Sequence, residues 1–388
     1  VKPVVKFELE HGEIRMVWGK ILRTWRSASQ AKELAGYPIA KQFIEMASGY
    51  LSGRKLTPSE YIDYRLFEPN MRVPKIQNGF VGYGRVMALN LALNDLRWGA
   101  LSFDKLSFYS ICDAVQIPFP RVHAVYSGVG RTSMGAVLLR DESDVVSFFA
   151  QATCLPLFCK PIQGTHGNGA ALIKGYDHEN KLLLLEGKPP VPVSEFVEQL
   201  RRYGRTGFVF QELVRQHPDL ERLAPGGVSG LRLVVLVGDG GPQVIHAIWK
   251  VKRTDQLTDH FSGGATGNLL ADVDPDTGRV RRVLSGLGLK QMLVHEHPDS
   301  GACLDGIVLP GWTVLLETMS RAALAFPGVP LQSWDVAVTK EGPLILEMNY
   351  DGDMNLIQAA TGRGVLSGPI GRALLNHRIW GPLARRAL

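Results

Sequence analysis

From Glu13 to about Trp98 the apolar positions follow a helical period, with Ile14, Val17, Trp18, Ile21 and Leu22 on one face. Thr57 stands before Pro58, and Glu60 follows three residues after the threonine. That arrangement sets a capping hydroxyl ahead of a first-turn proline and predicts a helix running through Tyr61 and Tyr64. The basic and aromatic residues of this region read as helix packing and solvated faces, which gives it a scaffold or substrate-facing role. Beyond Leu101 the texture changes to short β-branched runs separated by glycine and proline turns, the pattern of a mixed α/β body. Strands are predicted at Leu157 to Lys160, Ala170 to Lys174, Phe208 to Gln211, Leu231 to Val237, Val244 to Lys250, Ser333 to Thr339 and Leu344 to Met348. Turns at 237–242 and 339–342 join consecutive strands, so much of the sheet is expected to be antiparallel, unlike a doubly wound dinucleotide fold.

Length and composition narrow the class. A chain of 388 residues exceeds the size at which one core usually stops growing, so two or three lobes with a cleft are expected. With 45% hydrophobic and 21% charged residues the chain is of ordinary globular composition. The balance of 43 basic against 37 acidic residues suits a polyanionic ligand such as a nucleotide. No Lys/Arg run is interleaved with aromatics, which sets nucleic acid aside. Cysteines 112, 154, 159 and 303 form no Cys-x-x-Cys pair, so neither a disulfide framework nor a zinc site is indicated. The apolar runs are too short to cross a bilayer and no secretory pattern opens the sequence, so a cytoplasmic protein without a membrane span is expected.

The strongest chemical constellation is Asp335, Glu347 and Asn349, in SWDVAV, a turn, and LILEMNYDG. If the two strands pair as a hairpin, Asp335 falls across from Glu347, and residues 347 and 349 share one face. Two carboxylates and an amide oxygen are hard ligands that suit Mg2+, which takes its remaining ligands from water and phosphate. An exposed polar hairpin end is the alternative, but the surrounding strand is apolar, and converging acceptors there call for a cation.

A second signal is the glycine-rich stretch after Lys160: Gly164, Thr165, His166, Gly167, Asn168 and Gly169. Glycines let backbone N–H groups turn inward around phosphate oxygens. The stretch lacks the Lys-Ser/Thr of a P-loop and leads into a strand, so without the flanking lysine and the distal acidic trio it reads better as a hairpin loop with no ligand. Lys105, the pair Gln211 and Glu212, and Arg232 with Lys250 complete the set. Each taken singly reads as a solvated surface group; a basic side chain aimed into a cleft can instead neutralise phosphate.

The order lysine, lysine with glycine loop, acidic hinge, arginine, then Asp and Glu-x-Asn resembles the ATP-grasp superfamily, in particular its sugar-transfer-associated branch. The stretches that carry the resemblance are DKLSFYSICDAVQIPFP, LFCKPIQGTHGNGAALI, FVFQELVRQHPDLERL, SGLRLVVL, HPDSG with IVLPGW, and SWDVAVTKEGPLILEMNYDGD. They cover the chain from Phe80 to Gln358. The resemblance implies an α+β ATP-grasp fold of two lobes clasping ATP, preceded by a mainly helical N-terminal region. It divides the chain into residues 1–100, residues 101–212 with the glycine loop, and residues 213–388 with the Mg2+ site. Lys105 and Lys160 would contact phosphate or adenine, Gln211 and Glu212 the adenine edge, and Arg232 the transferred phosphoryl group; Lys250 is a further catalytic candidate. Asp219 and Glu221 both remain open as ribose ligands. Some ATP-grasp ligases carry an arginine two residues before the first metal aspartate; Ser333 stands there in this chain, leaving Arg232 to supply the charge.

The activity so implied is ATP- and Mg2+-dependent joining of a carboxylate and an amine through an acyl phosphate, on small-molecule or saccharide-linked substrates. A kinase acting on a hydroxyl and a nucleotide-binding regulator are the alternatives. The charged set argues against the regulator and does not separate ligase from kinase. His295 and His297 alternate in an extended segment, but no third ligand stands nearby, so a second metal is not expected.

Overall fold

The computed structural model describes residues 4–164, 169–202 and 206–388, and side chains from residue 18 onward. The chain divides into two compact units, one of Val1–Leu93, Leu284–Leu293 and Asp353–Leu388, the other of Asn94–Val283 and Val294–Gly352.

The first unit is built of helices, among them Val4–Ala35, Ile39–Leu51, Pro58–Asp63, Tyr83–Leu93, Met354–Thr361 and Trp380–Ala387. The start signal at Thr57 is used as read. Its side chain accepts from the Glu60 N–H while Glu60 Oε2 accepts from the Thr57 N–H at 2.8 Å, closing a capping box. The helix is a short one, and Tyr64 caps its C-terminus. Ala28 and Ala31 of the long first helix pack with Tyr61, Phe67 and Phe80 in one core. Of the apolar stripe expected to pack earlier on that helix, Trp18, Ile21 and Leu22 are exposed, and the side chains of Ile14 and Val17 lie outside the described residues. Periodicity registers which residues share a face, and it carries no information on whether another element lies against that face.

The second unit contains two sheets. The strands of the first are β1 (Val122–Tyr126), β2 (Val137–Leu139), β3 (Leu157–Pro161), β4 (Ala171–Asp177), β5 (Leu182–Leu185), β6 (Val191–Pro192) and β7 (Phe208–Glu212), in the order β2-β1-β7-β3-β4-β5-β6. β7 lies antiparallel to both β1 and β3. Leu157, Cys159 and Phe210 of this sheet pack with Phe149 and with Val197 and Leu200 of the helices Glu142–Gln151 and Val193–Arg201.

The second sheet contains β8 (Leu231–Gly238), β9 (Gly241–Val251), β10 (Leu269–Val273), β11 (Val280–Ser285), β12 (Met292–Leu293), β13 (Leu331–Thr339) and β14 (Gly342–Asn349). Within the second unit its strands run β11-β10-β9-β8-β13-β14; β12 pairs with the end of β11 inside the first unit. β13 is buried along its whole length between antiparallel β8 and β14. Trp334, Val336 and Val338 on one face join the core with Phe108 and Tyr109 of the helix Lys105–Ala114 and with Met319 and Ala322 of the helix Trp312–Leu324. Because side chains alternate across a strand, Ser333 and Asp335 point to the opposite face.

Candidate active site

Strand register sets up a row of charge across the second sheet. Asp335 on β13 lies opposite Arg232 on β8 and opposite Glu347 on β14. The hairpin count from the sequence is thus the pairing observed. Arg232 holds Asp335 through a two-pronged contact, Nε donating to Oδ1 at 2.7 Å and an Nη to Oδ2 at 2.9 Å. This is the planar fork that suits guanidinium to carboxylate. Lys250, near the end of β9, sets its ammonium 3.3 Å from Asp335 Oδ1 and 3.1 Å from Asp259 Oδ2. Burial alone would raise the Asp335 carboxyl, but the Arg232 and Lys250 charges outweigh it and hold the group well below the usual carboxylate range. Burial likewise opposes the charge on Lys250, and Asp259 and Asp335 overcome it, raising the ammonium above its ordinary value.

Lys105 approaches from another element. It opens the helix Lys105–Ala114, not a strand, and its ammonium donates to the Gly164 carbonyl at 3.0 Å while standing 3.8 Å from Glu347 Oε2. Burial pushes its pKa down, with Glu347 opposing the shift. A cation is unfavourable at a helix N-terminus; Asp104, the N-cap residue, accepts from the Ser107 N–H and pairs through both oxygens with Arg131 at 2.5 Å. Gln163 donates to the same carboxylate at 3.2 Å, which ties the start of the glycine loop to the helix cap. Lys160 at the end of β3 donates to the Tyr109 hydroxyl at 3.0 Å, and that hydroxyl donates to the Leu346 carbonyl at 2.7 Å. Burial pushes Lys160 down as well, against the pull of Glu347 and Asp335. A chain of contacts therefore links the strand before the glycine loop to β14, the strand that carries Glu347 and Asn349.

Of the glycine loop, Gly164 and Gly169 are placed, Gly169 with φ of 79°, where a side chain would be strained. Thr165, His166, Gly167 and Asn168 lie outside the described residues. Gln211 is buried and donates to the Pro120 carbonyl at 3.2 Å, and Glu212 accepts from the Arg121 N–H at 2.9 Å, so both side chains brace β7 against the segment leading into β1. Asp219 pairs with Arg222, and Glu221 accepts from Gln216 and the Gly226 N–H. His297 is buried, with Nε2 2.9 Å from the Lys252 carbonyl oxygen, while His295 pairs with Asp305, so the two rings serve separate contacts. Arg232, Lys250, Asp335, Glu347 and Lys105 are thus brought together, with Lys160 joined through Tyr109.

Sequence reading missed Asp259. Its carboxylate also accepts from the Gly230 N–H at 2.9 Å, and a Cβ on Gly230 would stand 2.7 Å from Oδ2. The position must therefore be glycine for the carboxylate to sit where it meets Lys250. The only local signal is the glycine run that begins at Gly263, four residues later.

The fit to Mg2+ can be judged from the donors. Among the described residues no three His, Cys, Asp or Glu side chains converge as a metal cage. Asp335 and Glu347 are nevertheless paired across strands, as are Ser333 and Asn349 one step along. Ser333 Oγ and Asn349 Nδ2 are both buried with no hydrogen-bond partner, an unsatisfied polar pair beside two carboxylates. Few carboxylates, an amide that can present its oxygen, and neighbouring cations to receive phosphate match how Mg2+ is held with a nucleotide.

Comparison with known proteins places the fold. No curated protein matches the chain. Among solved structures, the L-amino acid ligase of Bacillus licheniformis is 11% identical with a TM-score of 0.35, over 67% of this chain and 43% of that one. The VanG D-Ala:D-Ser ligase of Enterococcus faecalis is 12% identical with a TM-score of 0.39, over 70% and 62%. The D-alanyl-alanine synthetase A of Vibrio cholerae is 11% identical with a TM-score of 0.41, over 76% and 66%. The chain thus spans less than two thirds of the length of the first two. The family model described as sugar-transfer associated ATP-grasp matches residues 86–369, most of the chain and every site residue named above. The protein belongs to the sugar-transfer associated ATP-grasp family and has its α+β fold, with a helical region ahead of it.

Proposed function

We propose that the chain is an ATP- and Mg2+-dependent ligase that joins a carboxylate to an amine through an acyl phosphate. The observation that carries the reading is the row Arg232, Asp335 and Glu347 across three adjacent strands, with Lys250 and Lys105 at its two carboxylates. The cations Lys105, Lys160, Arg232 and Lys250 outnumber the acids Asp259, Asp335 and Glu347 there, so the site favours an anionic ligand such as a triphosphate.

In this reading Asp335, Glu347 and Asn349 hold Mg2+, which supplies positive charge to the phosphate oxygens. Lys105 and Lys160, with the loop Gly164, Thr165, His166, Gly167, Asn168 and Gly169, cradle the phosphates. Gln211 and Glu212 flank the adenine, and Arg232 and Lys250 face the transferring group. A carboxylate oxygen of the substrate attacks the γ-phosphorus and ADP leaves. The amine then attacks the carbonyl, phosphate leaves, and the nitrogen gives up a proton to form the amide. Exclusion of bulk water from the site protects the acyl phosphate. One substrate is saccharide-linked, in keeping with the family's association with sugar transfer, and the reaction is placed in the cytoplasm, where ATP is at hand.

The test uses the electrophilic carbonyl. With ATP, Mg2+ and candidate acids but no amine, hydroxylamine should yield the acid's hydroxamate with ADP and phosphate. A stable phosphorylated product, with no oxygen passed from a carboxylate to phosphate, would show a kinase and defeat the ligase reading.

A further inference from the structure

The first helix carries a surface that the ligand site does not use. Trp18, Ile21, Leu22 and Trp25 recur at the spacing of one helical face, with relative exposures of 61%, 47%, 52% and 53%. Burial of this helix begins only with Ala28 and Ala31, which are fully covered in the core of the first unit. Lys20, Arg23 and Arg26 on the same turns are exposed too. Between Glu13 and Glu33 the sequence has no acidic residue, while Arg15, Lys20, Arg23, Arg26 and Lys32 are basic.

We infer that this helix lies on an anionic lipid surface, its tryptophan face inserted among the headgroups and its basic residues on the lipid phosphates and carboxylates. The charge pattern selects this occupant. Lys20, Arg23 and Arg26 lie around the flank and back of the helix from the stripe, so apposing two copies of the stripe would leave this charge with no carboxylate between 13 and 33 to offset it. A nucleic-acid backbone would satisfy the cations and leave Ile21 and Leu22 in water. An anionic bilayer surface satisfies both: indole rings favour the interface between water and hydrocarbon, and Lys and Arg gain from the negative surface potential. Such a helix lies in the interface plane, which agrees with the finding that no helix among the described residues is long and apolar enough to cross a membrane. The inference is independent of the reaction proposed above.

The test is sedimentation of the full chain with phosphatidylcholine vesicles, with and without about one-third phosphatidylserine. Binding should appear with the anionic vesicles, weaken in high salt, and shift tryptophan emission to shorter wavelength. Each basic residue near such a surface is worth about fivefold, so the triple variant Lys20→Gln, Arg23→Gln, Arg26→Gln should bind about 100-fold more weakly. Trp18→Ser with Trp25→Ser should lose at least tenfold, and because both side chains are exposed its circular dichroism should match the parent. Absence of binding to anionic vesicles overturns the inference, as does equal binding to neutral ones. Concentration-dependent dimerisation that the tryptophan variant abolishes, with no vesicle binding, would instead show a second copy on this face.

Discussion

If Asp335 holds the metal as proposed, Lys250 and a divalent cation compete for one carboxylate, and this competition can be measured. The ammonium stands 3.3 Å from Asp335 Oδ1 and 3.1 Å from Asp259 Oδ2. At an effective permittivity of about 20, the Coulomb term at the first of these distances is about 5 kcal/mol. Two acids share the ammonium, which halves the net hold on Asp335, and the cost of burying a side chain only 12% exposed removes about half of what is left. We therefore take about 1.3 kcal/mol, a factor approaching ten in affinity, as the penalty that Lys250 imposes on a cation binding at Asp335. Methionine has nearly the length of lysine without the charge, so Lys250→Met keeps the packing and removes the competitor. Mn2+, which accepts the same oxygen ligands as Mg2+, can be titrated into the nucleotide-free protein and followed by electron paramagnetic resonance. Binding should tighten about tenfold in Lys250→Met while ADP release slows by about 10²-fold, because the lysine no longer faces the transferring group. A folded variant whose cation affinity is unchanged or weaker would refute the claim that Lys250 and the metal share Asp335.

Three further outcomes follow from the geometry. Glu347→Gln should retain the parent's unfolding temperature and cut Mg2+-dependent ADP release by about 10²-fold or more, since it removes a metal charge without changing size; undiminished turnover would count against the ligand assignment. Gly230→Ala places a Cβ 2.7 Å from Asp259 Oδ2 and should cost about 1–3 kcal/mol in urea unfolding, so stability equal to the parent would show that Asp259 can yield freely. Asp104 is held down at about 2, below its ordinary 3.8, where Arg131, Ser107 and Gln163 together outweigh the opposing effect of burial. Its folded value lies under the unfolded one, so its stabilisation is full above about pH 4 and is lost as pH falls through about 2. Arg131 is 37% exposed, so solvent screening reduces the contribution to about 1–2 kcal/mol. Asp104→Asn, which keeps the helix cap, should show that deficit at neutral pH and converge on the parent in acid; a constant difference would mean that the charge pair is not its source.

Much of this protein is legible in one dimension. The strands β3, β4, β7, β8, β9, β13 and β14 were visible as short apolar runs between glycine and proline turns, since alternation and turn chemistry are local properties. The Thr57 cap was readable for the same reason. So was the pairing of Asp335 with Glu347, because a tight hairpin converts sequence spacing directly into register. What lay beyond reach depends on which distant strands become neighbours. Arg232 and Asp335 are 103 residues apart, and only the insertion of β13 between β8 and β14 closes their ion pair. Asp259 meets Lys250 because the loop after β9 returns to Gly230, a route that no local pattern encodes. Lys105 is a candidate in the sequence, but its neighbours are not: only the helix it opens delivers it to Gly164 and Glu347. The stripe of Trp18, Ile21, Leu22 and Trp25 is the converse case. Its periodicity was plain, and its exposure was decided by where the other elements of the first unit came to lie, because burial is a property of neighbours in space and not of neighbours in the chain.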